Sequence, residues 1–200
     1  MNKSLKFILL FSALFSCFSI LGQEEVIYLK NPSFEGLPRA GGLAYGISAP
    51  GWIDCGRLNF PGETPPDIHP GGFFNVVKEP QDGKTYIGLV ARENETWEAV
   101  SQLLDAPLKE GNCYSISVNL ARSSNYVNMQ SQDSTDIVKS QSKPLVLRIY
   151  GGLRPCDKKQ LLAESPLIEH TDWRTYDVEF EVKANHYYIT FEAFYRTPVL

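Results

Sequence analysis

The sequence has little of what builds a helical protein and little of what drives nucleophilic chemistry. From Gln23 onward no segment of convincing length repeats its apolar residues at the helical period, which argues against a helix bundle. After the N-terminus no apolar run approaches the roughly 18 residues that cross a bilayer as a helix. There is no Gly-x-Ser-x-Gly elbow, no His-Glu-x-x-His and no phosphate loop, so the common nucleophilic hydrolases, zinc proteases and nucleotide enzymes lose their support. Cys-x-x-Cys is absent and no histidine stands close to a cysteine, which removes the usual zinc spacings. Internal repeats are absent as well. Basic residues are outnumbered, 19 against 23 acidic, which makes nucleic acid a poor partner.

What is present begins with an address. Lys3 and Lys6 precede an apolar stretch from Phe7 to Leu21, closed by Gly22 and the polar Gln23-Glu24-Glu25. This pattern predicts a secretory signal peptide over residues 1–22, with cleavage near Gly22. A membrane anchor would need a longer run, unbroken by Ser12, Ser16, Cys17 and Ser19 and closed by basic residues. Leu14-Phe15-Ser16-Cys17 loosely resembles a lipobox, but the greasy Phe18 to Leu21 would then open the mature chain. Loss of Lys3 and Lys6 takes the formal charge from −4 to −6. The expected location is outside the inner membrane: periplasm, cell surface or extracellular.

The exported chain would keep Cys55, Cys113 and Cys156, so at most one internal disulfide can form. Spacing does not decide the pair. Cys113 opens a strand-like run and Cys156 sits in a Pro-Cys-Asp turn, so Cys113–Cys156 is the expected pairing, with a thiol at Cys55.

Thirteen prolines and fifteen glycines punctuate short alternating apolar runs, the signature of strands and turns. Strands are expected at 26–30, 85–91, 97–104, 113–121, 144–150, 176–182 and 186–195. In the fourth, Tyr114, Ile116, Val118 and Leu120 alternate with Ser115, Ser117 and Asn119, one face for a core and one for water. The fold class predicted is all-β, an antiparallel β-sandwich of jelly-roll type with long loops and little helix, as a single domain over 23–200. Two long connections stand out, 36–82 rich in Gly and Pro and 122–143 rich in Ser, Asn, Gln and Asp. The second reads as mobile. No closing strand follows the aromatic run that ends near Tyr195, so the sandwich is expected either to expose an edge or to continue in a longer protein with further domains.

Asn31-Pro32-Ser33-Phe34-Glu35, Gly51-Trp52, Asp82-Gly83-Lys84-Thr85-Tyr86, and Pro107 to Gly111 followed by Cys113-Tyr114 occur in a telling order. That order resembles galactose-binding-like jelly rolls, above all carbohydrate-binding modules that open with Asn-x-x-Phe-Glu and related domains of secreted or surface proteins of gliding bacteria. The resemblance covers nearly all of residues 26–195. It implies glycan binding and a structural calcium held by Glu35 and the carbonyl of Lys84, since calcium takes six to eight hard oxygens. The family's last ligand, an acid on the final strand, has no counterpart after Tyr195. Without calcium, Glu35 reads as a surface acid capping a turn.

Sugar recognition needs aromatic faces and planar polar side chains. Trp97, Tyr126 and Tyr45 are the candidate aromatics, with Arg92, Glu95, Arg122, Asp67 and His69 as polar partners. Trp52 and Trp173 read as core. Glu93, Glu95 and Glu98 can be read as a glycosidase acid and base, but a charged, solvated edge explains them more simply. Asp67-x-His69 and His170-x-Asp172 lie in expected loops, without a third ligand for a metal. The expectation is a non-catalytic glycan-binding or adhesion module with carbohydrate or a cell-surface glycan as partner. A structural or protein-docking domain of a larger envelope protein is the alternative, and a glycoside-active enzyme a weaker one.

Overall fold

A computed structural model describes residues 26–92, 95–127 and 142–195. The expected signal peptide, Glu93 and most of the 122–143 connection lie outside the described residues.

The chain is an antiparallel β-sandwich. Its larger layer has five strands in the order β1 (Ile53–Asp54), β4 (Ala99–Leu108), β9 (His186–Phe194), β6 (Val146–Gly152) and β7 (Gln160–Glu164), every neighbouring pair antiparallel. Two ribbons face it, β2 (Asp67–His69) with β3 (Tyr86–Gly88), and β5 (Cys113–Leu120) with β8 (Arg174–Glu181). One four-residue helix, α1 (Gly56–Asn59), and a single 3-10 turn at Phe73–Asn75 complete the described elements.

The alternation in the sequence places the core. Val100, Leu104, Ile149, Ile189 and Phe191 of the five-stranded sheet pack against Ile68, Ile87, Ile116, Val178 and Phe180 of the ribbons. Trp52 is core, as read from the sequence: it is buried, stacks on Phe34 at 4.5 Å and meets Phe191 at 5.5 Å. Such ring pairs contribute about 0.5–1.5 kcal/mol each beyond their buried area. On β5 and β8 the polar residues of the alternation, Ser115, Ser117, Asp177 and Glu179, remain exposed.

Several expectations need correction. Residues 26–30 are not a strand; Gln102 instead accepts from the Lys30 N–H and donates to the Lys30 carbonyl, so one buried side chain does what a neighbouring strand would do. The 36–82 connection contains β1, α1 and β2 rather than bare loop. The disulfide joins Cys55 to Cys156, not Cys113 to Cys156, so Cys55 is no thiol. It spans 101 residues and pins the turn after β6 onto the end of β1. In the chain-entropy picture a loop of that length contributes about 4–5 kcal/mol. Cys113 is exposed on the outer face of β5, and spacing alone could not have separated the two pairings.

Candidate functional site

Four of the residues singled out in the sequence meet in one buried polar cluster: Asp67, His69, Arg92 and Tyr126. Strand β2 provides the first two. Asp67 and His69 share a face by alternation, while Ile68 between them points into the core. Gly88 lies opposite Asp67, and its missing side chain makes room for the His69 ring; a Cβ there would come within 2.8 Å of it.

Arg92 and Glu98 come from the two limbs of a tight hairpin. The Arg92 N–H donates to the Thr96 carbonyl at 2.7 Å, and Glu95 turns the tip with a left-handed φ of 62°. The guanidinium then forks, one nitrogen reaching Glu98 Oε1 and the other Thr64 Oγ1, each at 2.7 Å. The Thr64 hydroxyl and the Val90 N–H donate to the two oxygens of Glu98 at 3.1 and 3.0 Å. Asp67 accepts from the Gly41 N–H at 2.7 Å, and the Tyr126 hydroxyl stands 3.5 Å from its other oxygen. Tyr126 is itself held by a stacked Phe74.

Burial dominates the electrostatics. Glu98 is 2% exposed; desolvation pushes its carboxyl up to about 8, against the pull of Arg92 and with a further push from Asp67. Desolvation also raises Asp67, countered first by the Gly41 amide and then by Arg92. It lowers His69 to about 4, so His69 is neutral at physiological pH, and its 3.8 Å approach to Asp67 is neither an ion pair nor a hydrogen bond. The Nδ1 atom of His69 and the hydroxyl of Tyr86, cross-strand neighbours, are buried without a hydrogen-bond partner.

Sequence reasoning missed Thr64 and misplaced Glu98. The latter is not a solvated edge but the innermost acid of the cluster. Its parity with Val100, Gln102 and Leu104 was the available signal, since β4 sends that set inward.

The remaining candidates stand elsewhere. Trp97 is half-buried on the same hairpin, its ring 6.3 Å from Phe194 and 5.7 Å from the Lys158 ammonium, and its indole N–H has no acceptor. Glu95 is exposed at the hairpin tip. Arg122 donates to the carbonyls of Glu169 and Ser142, a strut between loops. Tyr45 is exposed under Arg39. Trp173 is half-buried rather than core: its ring stands perpendicular to Tyr86 at 5.3 Å, lies under Lys78 and donates to the Glu79 carbonyl. His170 bonds the Asp172 carbonyl and the Tyr176 hydroxyl. Glu35 Oε1 accepts the amides of Lys84 at 2.6 Å and Thr85 at 3.3 Å, the geometry of a turn cap. Among the described residues no three acids, histidines or cysteines converge as a metal site.

No family model and no curated protein matches the chain. Among solved structures it is similar to the Stig cyclase Fisc from Fischerella sp. TAU, crystallised with (3Z)-3-(1-methyl-2-pyrrolidinylidene)-3H-indole. The two are 16% identical with a TM-score of 0.49, over 84% of this chain and 86% of that one. At that distance the activity and the ligand stay with that protein.

Proposed function

We propose that the chain is a non-catalytic glycan-binding module of an exported protein, with the hairpin from Arg92 to Trp97 as its recognition edge. The observation that carries this is the state of Arg92. Its guanidinium is fixed by Glu98 and Thr64 while 21% of the side chain stays open to solvent, which makes it an oriented donor fork on the same hairpin as an indole. An oriented guanidinium and an aromatic face are what sugar hydroxyls and pyranose C–H surfaces require. Asp67, His69 and Tyr126 form the floor behind it. The Cys55–Cys156 disulfide suits an oxidising compartment.

Calcium at Glu35 and the Lys84 carbonyl belongs to the same proposal. Glu35 Oε1 already accepts two amides, so the ion would draw on the other carboxylate oxygen and on main-chain carbonyls.

A glycoside-active enzyme is the second reading, favoured by one observation: Glu98 keeps its proton near neutrality with Asp67 as a charged neighbour, a pattern shared with general acids. Its burial weighs against it.

The test is retention of the purified protein on a broad polysaccharide panel, with calcium and with chelator. Specific retention lost in both Trp97→Ala and Arg92→Ala supports the module, and a chelator effect adds Glu35. Sugar release abolished by Glu98→Gln would move the assignment to an enzyme. No retention by folded protein would leave a structural or protein-docking domain.

A further inference from the structure

The layer that faces the five-stranded sheet is interrupted. One edge of each ribbon is taken: Arg39 exchanges two main-chain hydrogen bonds with Ile68 of β2, and the Gln160 side chain of β7 bonds the Glu181 carbonyl and the Lys183 N–H at the end of β8. The other edges are open. Among the described residues the main chain of 114–120 in β5 pairs only with β8, and that of Tyr86–Gly88 in β3 only with β2. Val182 donates to the Asn112 carbonyl at the start of the β5–β8 ladder, so alternation turns the N–H and C=O of Ser115, Ser117 and Asn119 away from β8. The side chains agree, since Ser117 bonds Asp177 and Thr175 bonds Asn119 across the close, non-hydrogen-bonded pairs.

Burial marks the same strip. Val100, Leu104, Ile149, Ile189 and Phe191, the inward residues of the five-stranded sheet, are 7% exposed or less. No residue of β5 or β3 is buried: Tyr114, Ile116, Val118 and Leu120 on the inward face of β5, and Ile87 on that of β3, stay half-buried. Residues 26–29 add to the pattern. Their alternation predicts a strand, and Ile27 and Leu29 pack on the same core, yet their main chain has no hydrogen-bond partner among the described residues.

An open row of N–H and C=O groups beside an apolar strip suits a narrow class of occupant. A lipid chain would cover the strip and leave the row unbonded; a sugar would do the reverse. A helix bonds its own main chain internally. An extended strand satisfies both, as in strand addition to a sheet edge. Charge sets its outer face. On the outward side of the ribbon Asp177, Glu179 and Glu181 form an exposed row, and among the described residues no lysine or arginine pairs with them. A second copy paired edge to edge would bring two such rows together on a chain of net charge −4. We propose that the free edge of β5 is a docking site for an extended strand of another polypeptide, apolar at alternate positions toward the core and basic at the positions between. At about 4.8 Å per strand, its outward cations stand about 10 Å from the acids of β8, within one Debye length.

The test titrates the full chain with a short capped peptide of alternating valine and lysine, and with the same residues reordered into a valine block and a lysine block. The alternating peptide is expected to bind at least about tenfold more tightly, because only alternation puts every valine on the core side. Binding should slow amide exchange at Ser115, Ser117 and Asn119. N-methylation of the peptide, at its valines in one version and its lysines in another, should abolish binding in at least one. Glu179→Lys with Glu181→Lys, both exposed, should weaken binding about fivefold or more without lowering Tm. Trp97→Ala should leave it intact, which separates this edge from the glycan hairpin. Equal affinity for the two peptides, no binding at millimolar concentration, full binding of both methylated versions, or unchanged affinity in the Glu179 and Glu181 variant would each overturn the proposal. So would concentration-dependent dimerisation that protects the same amides, which would assign the edge to a second copy.

Discussion

Arg92 and Lys158 each stand among buried acids, but the two clusters solve the problem of buried charge differently. Lys158 bonds Glu63 at 2.7 Å and also bonds Glu192, with the rings of Trp97 and Tyr150 each within 6 Å of its ammonium. Tyr150 donates to the second oxygen of Glu192 at 3.2 Å. Burial alone would pull Lys158 down, yet Glu192 and Glu63 together raise it, so its protonated form is held firmly. Around Arg92 the balance is reversed. The guanidinium fork satisfies Glu98 and Thr64 by geometry, but Glu98 is so thoroughly desolvated, with Asp67 near it, that its proton stays on to about pH 8. The first cluster is a brace from the turn at Lys158 to β9 that leaves one buried oxygen, Glu63 Oε2, without a partner; in the second both Glu98 oxygens are hydrogen-bonded, and burial beside Asp67 is what shifts the acid. A strongly shifted buried acid behind a partly open guanidinium is the property expected of a recognition site rather than of a brace.

The largest break in this comparison comes from Lys158→Met. It leaves Glu63 and Glu192, 5% and 2% exposed, without their shared cation. The expected loss is about 3–5 kcal/mol in urea unfolding. Arg92→Met should cost less, about 1–3 kcal/mol, because Glu98 can remain a neutral acid and only charge-assisted hydrogen bonds disappear. Equal losses for the two variants would mean that Glu98 is ionised in the native protein, and the contrast would collapse.

The same contrast explains what could be read in advance. Strands β5 and β8 were legible because one face meets the core and the residues alternate, and β9, buried on both faces, was legible from its run of aromatic residues. Strand β7 was not, since Gln160-Leu161-Leu162-Ala163-Glu164 has adjacent leucines and no alternation. Strands β1 and β2 are two and three residues long and sit among Gly and Pro, below the length at which a period can be seen. At the site, Asp67, His69, Arg92 and Tyr126 were named as residues but could not be placed together: they span 59 positions and meet through the pairing of β2 with β3, the Arg92 hairpin and the docking of Tyr126 on Phe74. The brace went unread because a lysine in a turn and glutamates on two other segments carry no local signature.

The smallest effect separates the two acids' environments by pH. Glu98 has a folded pKa of about 8, above that of an unfolded glutamate, so the folded state binds the extra proton between those values and loses stability as pH rises through 8. His69 acts with the opposite sign: its folded pKa is about 4, so its stability contribution is lost as pH falls from about 6.5 toward that value. Above pH 7 His69 is neutral in both states, so what remains is the slope of Glu98 and of any other acid that burial raises, such as Asp67, and Glu98→Gln isolates the first. Unfolding free energy should therefore fall by on the order of 1 kcal/mol between pH 7 and 9, and Glu98→Gln should flatten that segment of the profile. The Lys158 cluster supplies the contrast, because Lys158, raised by Glu192 and Glu63, stays charged across the same range. A wild-type profile as flat as that of Glu98→Gln would place the proton elsewhere and make Arg92 as fully paired as Lys158.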